Sequence, residues 1–173
     1  MFSSATAIYS QLMLTKTNAC RIRIVGVALE GRDGAPVVVF ESQGTGELLP
    51  LPIDPFGAET LIRGYLGEND EAAVAWLADA LGKSAPSAGR IVSGDDAYWV
   101  RFPFRLSRRP KVRRLPLGEG LSLCRRLEIP LYAAESLFEA SRDDLAWMAG
   151  SGSFLGDFLY LSPPQYAPGI PME

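Results

Sequence analysis

The chain contains no histidine. That absence removes Ser-His-Asp and Cys-His nucleophilic catalysis, imidazole acid–base chemistry and His-ligated zinc from the functions open to it. Cysteine is scarce as well. Cys20 and Cys124 stand far apart and form no C-x-x-C, the pattern of reduced thiols in a cytoplasmic protein rather than of a disulfide framework. No apolar run approaches the roughly 20 residues of a spanning helix. The N-terminal M-F-S-S-A-T-A-I-Y-S has no basic region ahead of its apolar residues. Neither a membrane protein nor a signal peptide is therefore expected. No internal repeat is present, and G-R-D-G and Q-G-T-G are turns without P-loop or dinucleotide-binding spacing. Any chemistry must run on carboxylates, Lys/Arg, hydroxyls, a bound hard metal ion, or a thiol activated by something other than histidine.

What the 173 residues do contain is ordinary globular material, 47% hydrophobic and 21% charged, enough for one domain with a proper core. Residues 1–19 carry no clear period and are expected to form an arm. Residues 20–150 carry the domain, and 151–173 form a Gly- and Pro-rich apolar tail. Against a net charge of -3, the stretch from Arg101 to Arg114 holds seven of the 17 Lys and Arg and no acid. Those seven are Arg101, Arg105, Arg108, Arg109, Lys111, Arg113 and Arg114.

Hydrophobic periodicity predicts a sequence of short strands and helices. R-I-R-I-V-G-V-A-L places Ile22, Ile24, Gly26 and Ala28 on one face, with Arg21, Arg23, Val25, Val27 and Leu29 on the other. Val37 to Ser42 is a second strand. Glu47 to Ile53 is a third, expected at a sheet edge or with its N–H groups outward because Pro50 and Pro52 cannot donate to a ladder. Asp54 as N-cap and Pro55 at N1 open a helix ended by Gly67, and a second helix follows to Gly82. R-I-V-S and A-Y-W-V-R-F-P-F-R-L form a hairpin. Its second strand puts Tyr98, Val100, Phe102, Phe104 and Leu106 on one face and Trp99, Arg101 and Arg105 on the other. After a further strand at Lys111 to Leu115, Leu117, Leu121, Cys124 and Leu127 space out a helix, and P-L-Y-A-A is a short strand. Glu135 to Ala140 makes a helical turn or two, and Ser141 with Asp144 looks like a capping box for a last helix. The fold class is α+β: a mixed, largely antiparallel sheet of about six strands with three or four packed helices.

Taken in order, the segments from about residue 20 to 140 resemble the bifunctional nuclease domain family. Arg21 to Val39 is similar to its opening hairpin, and L-P-L-P-I-D-P-F-G-A-E-T-L-I (Leu49 to Ile62) to its L-P-I-W-I-G-x-x-E-A-x-x-I block. R-I-V-S-G-D-D-A-Y-W-V-R-F-P-F resembles its later hairpin. L-P-L-G-E-G-L-S-L-C-R-R-L-E-I-P-L-Y-A-A (Leu115 to Ala134) resembles its R-P-S-D-A-I-x-L-A-L helix with the closing strand. The resemblance implies hydrolysis of RNA or DNA phosphodiesters with a divalent metal, Mg²⁺ or Mn²⁺. It places the family's motif Asp on Glu119, as metal ligand or base, and the Arg-Pro-Ser before it on Pro116, Leu117 and Gly118. The family's earlier Glu falls on Gly57, with Glu59 two positions on as the available carboxylate.

Each candidate also has a plain structural explanation. Glu119 in a helix's first turn faces the positive helix end. One carboxylate holds a hard cation poorly, and Asp54, Glu59 or Asp95/Asp96 are the candidates for a second. Asp54, however, suits an N-cap, and the Asp pair suits a turn. The basic run either grips nucleic acid, with Trp99 or Tyr98 stacking on bases, or blunts a strand edge or pairs across a subunit interface. A homo-oligomer is expected from the exposed strand edges. Two functions remain open: a divergent metal-dependent nuclease, or a non-catalytic scaffold that associates through its basic edge and apolar tail.

Overall fold

The computed structural model describes residues 18–30, 34–67, 86–104, 111–150 and 158–161. The helix expected before Gly82 lies outside them. In chain order the elements are β1 (Ala19–Glu30), β2 (Ala35–Ser42), β3 (Leu48–Pro52), α1 (Pro55–Leu66), β4 (Gly89–Ser93) and β5 (Tyr98–Phe104). They continue with β6 (Lys111–Pro116), α2 (Leu117–Arg126), β7 (Leu131–Ala134), α3 (Glu135–Gly150) and β8 (Phe158–Tyr160). The strands form one sheet in the order β3-β2-β1-β7-β4-β5-β6, with β8 added beside β1. Among the described residues only the β4–β7 pairing is parallel. The architecture is the expected α+β, with eight strands among the described residues rather than about six. The additional pairing comes from β8, in the Gly-rich stretch where no strand is expected.

One core holds the sheet to its helices. Ile22, Ile24, Val38, Phe40, Leu49, Leu51, Ile91, Val100 and Phe102 meet Leu61 of α1 and Leu117, Leu121 and Cys124 of α2, all buried. The alternation of β5 is as expected over its described part, Val100 and Phe102 being fully buried. That of β1 is not. The register against β2 shifts between Ile24 and Gly26, a bulge that inserts one residue and exchanges the faces beyond it. Val27 therefore joins Ile22 and Ile24 in the core, while Gly26 and Ala28 turn to the other face. A period-two count from sequence cannot see such a slip.

β3 pairs only with β2 and lies at one sheet edge, where its two prolines cost no ladder bond. β6 is the other edge. α1 begins as expected: the Asp54 carboxylate accepts from the Gly57 N–H at 2.8 Å, and Gly67 caps the end with φ 80°. The two short helices expected from Glu135 are instead one, Glu135–Gly150. Ser141 is not a cap there. It is buried mid-helix, and its hydroxyl donates to the Phe138 carbonyl at 3.1 Å, inside the same helix. α2 ends in a Schellman motif: the Ile129 N–H donates to Cys124 O at 2.8 Å and the Glu128 N–H to Arg125 O at 3.3 Å. Glu128 takes the left-handed position with φ 53°, where glycine is usual.

Candidate functional site

Arg105, Arg108 and Arg109 lie outside the described residues. The rest of the basic run is ordered by the β5–β6 ladder, which pairs Arg101 with Arg114, Phe102 with Arg113 and Phe104 with Lys111. Paired residues share a face, and Phe102 faces the core, so Arg101 and Arg114 lie on the face turned away from α2.

The ladders extend that pair into a row across five strands. Arg101 pairs with Arg90 on β4, Arg90 with Tyr132 on β7, and Tyr132 with Arg21 on β1. The order is Arg21, Tyr132, Arg90, Arg101, Arg114, all on the outer face. At one strand spacing per step the row is about 19 Å long. Arg21, Arg101 and Arg114 are exposed, and Arg90 and Tyr132 are half-buried. The face is confirmed from the other side of the sheet. The position a Gly120 Cβ would take on α2 meets the Val100 side chain, so Val100 points to the helix and its neighbour Arg101 away from it.

Edge protection explains only some of these cations. Blunting an edge accounts for Lys111, Arg113 and Arg114, which belong to the edge strand. It does not account for Arg101, Arg90 and Arg21, which lie one, two and four strands inward. Like charges directly opposite one another, with Cβ atoms about 4.5–5.5 Å apart, cost stability. Among the described residues no carboxylate pairs with Arg21, Arg101, Arg113 or Arg114. Arg23, next to the row, is paired with Glu41.

Trp99 lies on the same outer face as Arg101, and the Arg114 guanidinium stands over its ring at 6.0 Å from the centroid, the limit of a cation–π contact. Trp99 is half-buried, its indole set against the tight β4–β5 turn at Gly94. Trp99, Arg113, Arg114 and the turn residues Ser93 to Ala97 line an open cleft of about 1060 Å³. The exposed carboxylates of Asp95 and Asp96 stand at its turn end. An aromatic face, an exposed guanidinium row and a cleft thus adjoin.

The two motif helices meet elsewhere. Gly57 of α1 and Gly118 of α2 are in backbone contact. An ideal Gly57 Cβ would stand 3.2 Å from the Gly118 α-carbon and 2.7 Å from Asp54 Oδ2, and a Gly118 Cβ would fall inside the Gly57 backbone. The positions that resemble the family's Glu and its motif helix are therefore adjacent, and the space between them is filled by main chain and the capping Asp54. Glu59 is not at this junction. It lies about 200° around α1 from Gly57, exposed and paired with Arg63 at 2.7 Å. Glu119 is half-buried in the first turn of α2, and neither Glu119 nor Glu59 lines the cleft beside Trp99. Among the described residues no three His, Cys, Asp or Glu side chains stand together as metal ligands. Asp54 already spends one oxygen on its helix cap. These donors fall short of the oxygen set a hard cation uses.

Neither cysteine is poised for chemistry. Burial pushes the Cys124 thiol up to about 12, which keeps it protonated and inert. Cys20 is half-buried, near the carbonyl of Ala133. No described helix is long and apolar enough to cross a membrane.

Sequence reasoning could find the cations of residues 101–114 because they are contiguous. It missed Arg21, Arg90 and Tyr132 because only strand order and register bring them alongside. The available signal was weak: each stands at a polar position of an otherwise apolar strand.

Compared with protein-family models and with curated proteins, the chain matches none.

Proposed function

We propose that the protein is a non-catalytic binding domain on a bifunctional-nuclease-like scaffold, and that it holds single-stranded nucleic acid across the outer face of its sheet. The observation that carries this is the row Arg21, Tyr132, Arg90, Arg101 and Arg114, in which Arg101 stands opposite both Arg90 and Arg114, with Trp99 beside it. Repulsion between the exposed Arg101 and Arg114 is a standing cost that a polyphosphate removes. A flat cationic track beside an aromatic platform is the usual means of holding a single strand without reading its sequence. Arg113 stands opposite Phe102 and so belongs to the other face of β6, outside this track. The glycine contact between α1 and α2, and the outward Glu59, favour binding without hydrolysis.

The lesser reading is metal-dependent hydrolysis. It is favoured by one observation, that the motif-like segments of α1 and α2 meet with the Asp54 carboxylate at the junction and Glu119 next to Gly118. Both are tested with a fluorescent single-stranded oligonucleotide, with Mg²⁺ or Mn²⁺ and with chelator. Binding is expected to weaken linearly in log–log salt plots, and R101T and R114T each to flatten the slope by about 0.7. R142Q, which alters an exposed cation paired with Glu47 at 2.7 Å on α3, should leave affinity unchanged. Binding indifferent to R101T and R114T would overturn the proposal. Metal-dependent cleavage lost in E119Q would establish the nuclease instead.

A further inference from the structure

The outward side of α1 carries a stripe that is complementary to itself. Phe56, Glu59, Arg63 and Leu66 fall within about 80° of one another around the helix, on the side away from α2. Phe56 is 70% and Leu66 66% exposed, the two most exposed large apolar side chains among the described residues. Between them lies the Glu59–Arg63 ion pair, both side chains more than half exposed. Single exposed apolar residues are common on protein surfaces and need no explanation. These two share one helix face, and the stripe is symmetric about Leu61. Phe56 and Leu66 stand five positions either side of it, and Glu59 and Arg63 two positions either side.

We propose that this face of α1 docks on the same face of a second copy of the chain, the two helices running antiparallel about a twofold axis at the level of Leu61. In a twofold contact residue i meets j and j meets i. Phe56 then covers Leu66 of the second copy and Glu59 faces Arg63 of the second copy, each contact occurring twice. The guanidinium of Arg63, with five donors, can keep its bond to Glu59 in its own helix while bonding across. The docking helix is only about 18 Å long. It buries less than the roughly 800 Å² per partner of a standard stable interface. The dimer is therefore weak, forming at micromolar or higher concentration. It involves neither the sheet's outer face nor its edges, so it is independent of the nucleic-acid proposal.

The full chain is tested by analytical ultracentrifugation from micromolar to millimolar concentration without nucleic acid. The wild type is expected to show concentration-dependent dimerisation. E59R sets two cations against each other in the dimer and R63E two anions, so each variant alone is expected to associate at least tenfold more weakly. An equimolar mixture of E59R with R63E restores opposite charges at both contacts, so the mixture should dimerise although neither component does. Rescue in trans cannot arise from an effect within one helix. A wild type that stays monomeric throughout, as it would if the chain's own C-terminal residues or a different protein cover this face, overturns the proposal. So do single variants that dimerise as the wild type does, or a mixture that fails to.

Discussion

The contact between Gly57 and Gly118 sets the distance between α1 and α2, and Gly118→Ala tests how tightly. The new Cβ would fall inside the Gly57 main chain, and main chain cannot rotate aside as a side chain can. Overpacking a well-filled site costs about 1–3 kcal/mol, and a backbone collision belongs at the upper end. Alanine returns about 0.5–1 kcal/mol over glycine inside a helix. The net loss is about 2 kcal/mol, or about 4–8 °C in Tm for a chain of this size. Gly64→Ala is the matched control on the same helix. Its Cβ would meet only Arg125 Nη1, at 3.7 Å, the guanidinium that lies over the Tyr65 ring at 4.7 Å. It should therefore show the helix gain alone, a rise of about 2 °C. Thermal melts followed by circular dichroism give both numbers. Equal or parallel shifts for the two variants would refute the close-packed junction, and with it the physical reason for regarding the motif site as closed.

Three further outcomes follow from particular residues. Glu128→Gly relieves a left-handed backbone position in the α2 Schellman motif and should stabilise by about 1 kcal/mol in chemical denaturation; no change would mean that the turn is not held in that conformation. Arg101→Thr removes the cation between Arg90 and Arg114 and should raise stability by about 0.2–1 kcal/mol while lowering oligonucleotide affinity. Loss of both stability and affinity would show that Arg101 is structural. Cys124 gives a pH dependence. The folded state keeps the thiol protonated to about 12, whereas an unfolded chain releases the proton from 9.0 upward. The unfolded state therefore binds fewer protons over that window, and stability falls as pH rises through it, by roughly 1 kcal/mol per pH unit. Urea midpoints on either side of pH 9.0 measure the slope, and Cys124→Ala should flatten it.

Among the described residues most elements were legible from the sequence, because periodicity, caps and turn residues act a few positions apart. Pro50 and Pro52 determined an edge strand, Asp54-Pro55 and Gly67 both ends of α1, and the alternation around Val100 and Phe102 the buried face of β5. The errors have physical causes of the same local kind. The bulge at Val25 exchanged the faces of β1, and Ser141 satisfied its hydroxyl inside a continuous helix rather than starting a new one. The candidate site was only half legible. Seven cations in fourteen residues are visible in any sequence; a row of arginines from four different strands is not, because register between distant strands is fixed by core packing. The same holds for the motif segments. Sequence aligned Glu59 and Glu119 as potential partners. Helix rotation put Glu59 on the outer side of α1, and only the crossing of α1 and α2 brought Gly57, Gly118 and Asp54 into one place. Sequence by itself thus determined the α+β elements, the exclusion of histidine chemistry and the presence of a basic run. Tertiary structure decided which cations stand together and which carboxylates do not, because side chains far apart in the chain share a surface only where the sheet and helices pack.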